Sequence, residues 1–351
     1  MRNDRDASDG VRLALWTAAH FFVDFCCFYI LFGAFAPRAD ARTAMGFLLY
    51  NALAFGLQPI AGYYTDRRPE RPVGPVGCAA VLAALLLRRF AWAALVLCAL
   101  GNACFHAAGG RDALTRAGGR TAPSGIFVCS GAPGIYLGAR AAALLPAWLP
   151  AASMLLCGGL LLRFCRAPRA PVTPALRAPS NLPAAAGILL AGAAVAVRAG
   201  GGTLLSQCPG AAAVTAAFLP TLCACAGKAA GGFLADRFGA RRAAASALLL
   251  SLPLLCFARG PLQFCVGVAL FNVPMAVTLC AIAARLPSNP GLSFGLSALA
   301  LLCGVLPSYF IAAPAAARAL PALLLSAAVC VMLTTTNTTM KGVEHEKESN
   351  R

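Results

Sequence analysis

Twelve apolar stretches, most of them about as long as a helix that crosses a bilayer, dominate this chain. They lie at residues 13–36, 44–64, 73–87, 91–110, 124–141, 144–164, 184–206, 211–233, 243–258, 260–283, 291–313 and 317–335. A hydrocarbon core of about 30 Å needs about 20 residues of helix. Backbone amides in hydrocarbon find no water, so each stretch predicts a helix that satisfies its own N–H and C=O groups. Only 12% of the 351 residues are charged, about half the density of a soluble domain, and so few charges cannot cover a water-soluble globule. A hydrophobic content of 60% equally excludes a disordered chain. The expected fold is an all-α membrane protein, a bundle of 12 transmembrane helices. Three stretches, 73–87, 124–141 and 243–258, are short and predict short helices or helices broken by glycine. The polar start MRNDRDASDG leads into a run longer than a signal-peptide core, which predicts a retained first helix.

Charge placement supports the count. With both ends on the cytoplasmic side, twenty of the 29 Lys and Arg residues fall in cytoplasmic loops or ends, and seven fall outside. This is the positive-inside bias, and one span too many or too few would destroy it. The net charge of +17 is therefore explained by orientation, and the scattered arginines give no basic face for nucleic acid. The expected location is a bacterial cytoplasmic membrane. The expected partners are protons, a small-molecule substrate and lipid, with the protein a monomer.

Of the 16 cysteines, nearly all lie inside apolar stretches, with no CxxC pair and no Cys/His ligand spacing. They are expected to pack helices, so neither a disulfide framework, a metal site nor a cofactor is expected. No GxxxxGK[ST] sequence is present, which argues against an ATP-driven pump. No nucleophile, base and carboxylate lie at one membrane level, so an enzyme is not expected.

The chain repeats itself. Gly62-Tyr63-Tyr64-Thr65-Asp66-Arg67 closes the second stretch and Gly232-Phe233-Leu234-Ala235-Asp236-Arg237 the eighth, with Arg241 and Arg242 following. Both read G-x-x-x-D-R. Between them, 166–182 is rich in Pro and Arg and reads as a linker. The expected organisation is an N-terminal six-helix half at 1–165, a cytoplasmic linker at 166–182, a C-terminal six-helix half at 183–340 and a cytoplasmic tail at 341–351. Glycine permits close helix approach, and the Asp can bond a helix N-terminus or a neighbouring Arg as a charge-assisted latch. Gly62, Asp66, Arg67, Gly232, Asp236, Arg237 and Arg241 are therefore expected to form a gate, the alternative being topological charge at a helix end.

GGFLADRFGARR resembles the loop signature of the major facilitator superfamily, which implies that family's fold of two six-helix halves. The first copy departs from the signature at Arg68-Pro69. The segments AAHFFVDFCCFY, GNACFHAAGGRD and GIFVCSGAPGIYLG are similar to the fosmidomycin-resistance branch of that superfamily, a resemblance that implies drug efflux by proton antiport. Ala107 and Ala108 depart from that branch, which commonly has a proline and an acid there. Gly131, Pro133, Gly134 and Gly138 resemble the superfamily's antiporter signature and are expected to act as a hinge in the fifth helix.

Few polar groups are expected inside the membrane. Asp24 is the only acid in a stretch, and His20 shares its helix face one turn earlier. Burial disfavours a carboxylate and a nearby cation favours it, so Asp24 with His20 is expected to couple protons or contact substrate. The alternative is a protonated Asp bonded to a backbone carbonyl. Arg198 is expected near the middle of the seventh helix, where its permanent charge needs a counter-ion or a wet cavity. It would line one cavity with Asp24, binding an anionic substrate group or serving only as a structural partner. Lys228 either binds substrate or reaches to the surface along its own stem. Asn102, His106 and Gln58 are substrate contacts or interhelical hydrogen-bonding groups. Gly200, Gly201 and Gly202 are expected to soften or break the seventh helix. The function expected is secondary transport of a small organic solute by alternating access, as proton-coupled efflux. The alternatives are uptake of an anionic metabolite by proton symport, or a non-transporting sensor of the same fold.

Overall fold

The computed structural model describes residues 2–36, 40–165, 176, 178–179, 181–215 and 218–336, with side chains from Asp9 onward. Most of the expected linker at 166–182 and all of the expected tail at 341–351 lie outside the described residues. The chain folds as α1 (Arg2–Ala34), α2 (Ala41–Gly56), α3 (Gln58–Arg67), α4 (Val73–Leu86), α5 (Ala91–Thr115), α6 (Ala122–Cys129), α7 (Gly131–Ala141) and α8 (Trp148–Phe164). There follow α9 (Ala184–Gly202), α10 (Leu219–Phe238), α11 (Ala240–Cys256), α12 (Pro261–Asn272), α13 (Pro274–Ala283), α14 (Pro290–Val305), α15 (Ala313–Ala316) and α16 (Leu320–Thr334). Seven helical stretches among the described residues are long and apolar enough to cross a membrane.

These helices join into twelve rods, because three expected spans are broken once each and α15 runs through a short 3-10 turn at Ala317–Ala319 into α16. Proline causes all three breaks, since it cannot donate to the carbonyl four residues back. Pro59 cannot donate to the Phe55 carbonyl at the α2–α3 junction, nor Pro133 to the Cys129 carbonyl at α6–α7, nor Pro274 to the Leu270 carbonyl at α12–α13, which takes the Val273 N–H at 3.2 Å instead. The 124–141 run was expected to be short or broken by glycine; its break is at Ser130. The expected run 211–233 becomes α10 at Leu219–Phe238, because Pro220 favours the first turn and Gly239, at φ +88°, provides the stop. Helices also extend past their apolar limits, as α5 does through Arg111 and Asp112 to Thr115. The glycine triplet does not break α9, which stays helical through Gly202 and ends there. Asp40 caps α2 by accepting the Thr43 N–H at 3.0 Å, which holds its carboxyl below the usual carboxylate range.

The chain forms two compact units. One comprises residues 1–116, 130–170 and 289–299; the other comprises 117–129, 171–288 and 300–351. Two segments, 117–129 and 289–299, thus depart from a simple division of the sequence at the linker. In the first unit α1 packs on α5, α7 and α8, and α4 on α5 and α8. In the second, α10 packs on α6, α12 and α13, and α16 on α9 and α11.

Each unit is apolar outside. Ile60, Leu86, Leu155, Leu189, Leu250 and Leu262 are all more than half exposed, a surface suited to hydrocarbon and not to water. Polar residues are buried instead. Arg12 on α1, 6% exposed, bonds Asp112 on α5 at 2.5 Å and the Phe164 carbonyl at the end of α8 at 3.2 Å. Arg116 reaches the same carboxylate at 3.5 Å and also pairs with Asp9. Arg111 and Asp112, which follow the apolar run that ends at residue 110, are buried inside α5. Removing one member leaves a charge without its partner in low dielectric. Asp112→Asn should therefore lower stability by about 3 kcal/mol, read as thermal unfolding in detergent, while Asp9→Asn at the more exposed edge should cost far less.

Candidate functional site

Asp24 sits in the buried interior of the first unit, within reach of three polar side chains from α1 and α5. His20 Nε2 lies 3.3 Å from Asp24 Oδ2, one turn earlier on α1. From α5, Asn102 Nδ2 donates to Asp24 Oδ1 at 3.0 Å and His106 Nε2 lies 3.5 Å from the same oxygen. Asn102 and His106 are themselves one turn apart, so α5 presents both from one face. Both imidazoles meet edge to face with centroids 4.5 Å apart. All four residues are at most 7% exposed.

The third wall is α7, and its glycines set the distance. A Cβ on Gly131 would stand 2.6 Å from Asp24 Oδ2 and 2.8 Å from His20 Nε2. Gly134 and Gly138 abut the carbonyls of Phe21 and Phe25 on α1. Ser130 Oγ donates to the Thr17 carbonyl at 2.8 Å. The expected hinge residues therefore lie against the helix that carries Asp24, and the proline among them coincides with a helix break.

Proton bookkeeping constrains the cluster. His106 Nδ1 faces the Asn102 carbonyl at 3.0 Å. A carbonyl only accepts, so Nδ1 carries a proton. In the neutral ring Nε2 then has a lone pair, and it faces a carboxylate oxygen. One proton is needed between them, on the ring or on the carboxyl. The donor atoms of His20, Asp24 and His106 also lie within 4.8 Å of one another, the donor types a transition metal takes; a single proton satisfies the same geometry.

The two repeated motifs have matching geometry, each inside its own unit. Asp66 accepts the N–H groups of Gly291 and Leu292 at 2.9 Å each, and Arg111 Nε lies 3.3 Å from its Oδ1. Asp236 accepts Thr121 N–H at 2.6 Å and Ala122 N–H at 3.0 Å. These amides begin α14 and α6, where intrahelical acceptors are missing. Gly62 and Gly232 make the approach possible: a Cβ on Gly62 would collide with the Gly291 carbonyl, and one on Gly232 would stand 2.6 Å from Ala122 Cα. Arg241 holds the Thr335 carbonyl after α16 at 2.8 and 2.5 Å. Arg67 and Arg237 lie over the rings of Tyr63 and Phe238.

The remaining expected residues are not part of the Asp24 cluster. Gln58 is buried and donates to the Ala54 carbonyl at 2.9 Å. Lys228 lies half-buried on α10 in the second unit. Arg198 stands four residues from the end of α9, not near its middle. It is 6% exposed, its Nε has no hydrogen-bond partner among the described residues, and its guanidinium lies 5.7 Å from the Phe271 ring centroid. Asp236 is the one acid among the described residues of that unit, and two amides already occupy it. A helix N-terminus or a neighbouring Arg was the expected kind of partner for each motif Asp, but the sequence did not identify the amides at 121–122 and 291–292 or Arg111 as those partners. Pro290 at the start of α14 was the available signal for the second amide pair.

Searched by sequence, the chain matches no protein-family model and no curated protein. Its backbone does match solved structures. It is similar to the major facilitator superfamily transporter FucP in its outward conformation, at 15% identity and TM-score 0.66, over 93% of this chain and 97% of that one. A variant of the E. coli fucose:proton symporter FucP gives 14% identity and TM-score 0.66 over the same shares, 93% and 97%. The human organic anion transporter MFSD10 (TETRAN) gives 16% identity and TM-score 0.64, over 91% and 99%. The chain has the major facilitator fold. It is an all-helical, multi-pass membrane bundle, as its twelve apolar runs and apolar exterior require. The imidazole assignment is directly measurable. Nitrogen-15 spectra of the histidines should show His106 protonated at Nδ1, and a neutral ring with its proton on Nε2 would contradict the geometry.

Proposed function

We propose that the chain is a secondary active transporter that moves a small organic solute by alternating access, coupled to protons through Asp24 and its histidines. The supporting observation is the buried carboxylate whose oxygens meet His20, His106 and Asn102. It needs one shared proton, and two imidazoles offer that proton alternative sites. Moving the proton changes the charge of the cluster, and with it the cost of exposing the cluster to either side. The gating step is assigned to the motif aspartates, whose bonds to the starts of α14 and α6 form or break as a unit opens. Gly131, Pro133, Gly134 and Gly138 let α7 adjust against α1.

Efflux by antiport is the preferred direction, resting on the likeness of the α1, α5 and α7 segments to the fosmidomycin-resistance branch. Proton symport of an anionic metabolite is the second reading. The buried Arg198, whose Nε has no hydrogen-bond partner among the described residues, favours it, and one structural neighbour is a fucose:proton symporter while another is an organic anion transporter. In either reading Arg198, Lys228 and Gln58 are proposed substrate contacts. The protein is proposed to work as a monomer in a bacterial cytoplasmic membrane, with both ends in the cytoplasm.

The test is a solute screen in proteoliposomes with an imposed pH gradient. Asp24→Asn should abolish flux driven by the gradient while the protein stays folded, and a chelator should leave wild-type flux unchanged. Full gradient-driven flux in that variant would remove Asp24 from the mechanism, and chelator inhibition would replace the proton by a metal. Asp236→Asn should slow turnover about tenfold, the cost of weakening charge-assisted bonds to two amides, and should change cysteine accessibility from one side. Unchanged turnover and accessibility would leave Asp236 a topological charge.

A further inference from the structure

The residues by which the first motif departs from its signature border a cavity that the transport reading does not use. Arg68-Pro69-Glu70-Arg71-Pro72 joins α3 to α4, and a cavity of about 560 Å3 opens beneath it within the first unit. Arg68 and Arg71 line it, are exposed, and make no side-chain hydrogen bond or ion pair among the described residues. The other charges on its wall are Arg111, Asp112 and Glu70. Arg111 is held by Asp66, and Asp112 by Arg12 and Arg116. Two arginines against Glu70 therefore leave the cavity positive.

The backbone adds to this. In the first turn of α4, Val73 N–H donates to the Arg71 carbonyl and Val76 N–H to the Pro72 carbonyl, while Pro75 has no N–H. The Gly74 N–H is left with no backbone acceptor among the described residues. It sits where the helix dipole favours an anion. On the same wall Trp16 is 4% exposed, and its Nε1–H has no acceptor among the described residues. Residues 166–182, which follow the lining residue Cys165 in sequence, contain neither Asp nor Glu. Part of the wall is apolar: Leu161 and Leu162 line the cavity, and Leu162 is 52% exposed.

We propose that this cavity binds a phosphate group, held by the Arg68 and Arg71 guanidiniums and the start of α4. Planar guanidiniums match phosphate oxygens two at a time. The phosphate belongs either to an anionic phospholipid lying along Leu162 or to a soluble phosphate compound, and the experiment separates the two sources.

The purified full chain in detergent is titrated with phosphatidylglycerol and with phosphatidylcholine, with bound lipid counted by native mass spectrometry. Inorganic phosphate is added in a parallel thermal-unfolding series. The variants are R68Q/R71Q, the charge-retaining R68K/R71K, and R88Q/R89Q as an exposed control elsewhere. Phosphatidylglycerol should bind the wild type about tenfold or more tightly than phosphatidylcholine, given the worth of two arginines beside an anionic headgroup. R68Q/R71Q should lose that preference, R68K/R71K should retain part of it, and R88Q/R89Q should retain all of it. Loss confined to phosphatidylglycerol assigns the site to lipid; loss of phosphate stabilisation as well assigns it to soluble phosphate also. An unchanged preference in folded R68Q/R71Q, or an equal loss in R88Q/R89Q, overturns the proposal.

Discussion

A carboxylate that takes two backbone amides at the start of another helix recurs in this protein, and both units are organised around it. Asp66 takes the amides of Gly291 and Leu292, and Asp236 those of Thr121 and Ala122. A helix start in or near hydrocarbon has no water for its free N–H groups. A carboxylate meets that need with charge as well as hydrogen bonds, and it is what makes a helix beginning there tolerable. The glycine four residues earlier is the condition for it. At Gly62 and Gly232 any side chain would meet backbone of the capped helix before the carboxylate arrived. G-x-x-x-D is thus one device: absence of a Cβ on one turn, an acceptor on the next.

The same logic of close approach governs the interior of the first unit. Gly131, Gly134 and Gly138 bring α7 against α1, and α5 presents Asn102 and His106 to Asp24 from the other side. Asp24 on α1 meets Asn102 and His106 on α5, and Arg12 on α1 meets Asp112 on α5, while large apolar side chains are exposed. This inversion of a soluble protein's polarity concentrates ionisable chemistry at a few points. A proton placed at one of them has histidine acceptors within 3.5 Å of the carboxylate.

Local signals carried far in this chain. Prolines 59, 133 and 274 set the three helix breaks through a missing N–H, a property of the residue itself. His20 and Asp24 share a face by their spacing alone. What the sequence did not disclose were partners distant along the chain. Asn102 and His106 were legible as polar residues in an apolar helix, but their convergence on Asp24 depends on how α5 packs. Arg111 and Asp112 read as loop charges because the apolar run ends at residue 110, yet the helix continues to Thr115. Each charge found a partner on another helix, which pattern reading along one helix cannot detect. Arg198 stands off the middle of α9 because the helix ends at Gly202 and not at 206.

The amino-acid sequence by itself determined a lipid-embedded, all-helical chain with twelve crossings and a motif written twice. Hydrocarbon length and backbone hydrogen bonding act on each segment separately, so composition along the chain suffices to read them. Tertiary structure alone decided that the motif aspartates cap α14 and α6, that segments 117–129 and 289–299 belong to units their neighbours in sequence do not share, and that three polar residues meet at the Asp24 carboxylate. Those outcomes depend on which backbones approach within a few ångströms. Glycine permits that approach, but only the packed fold selects the partner.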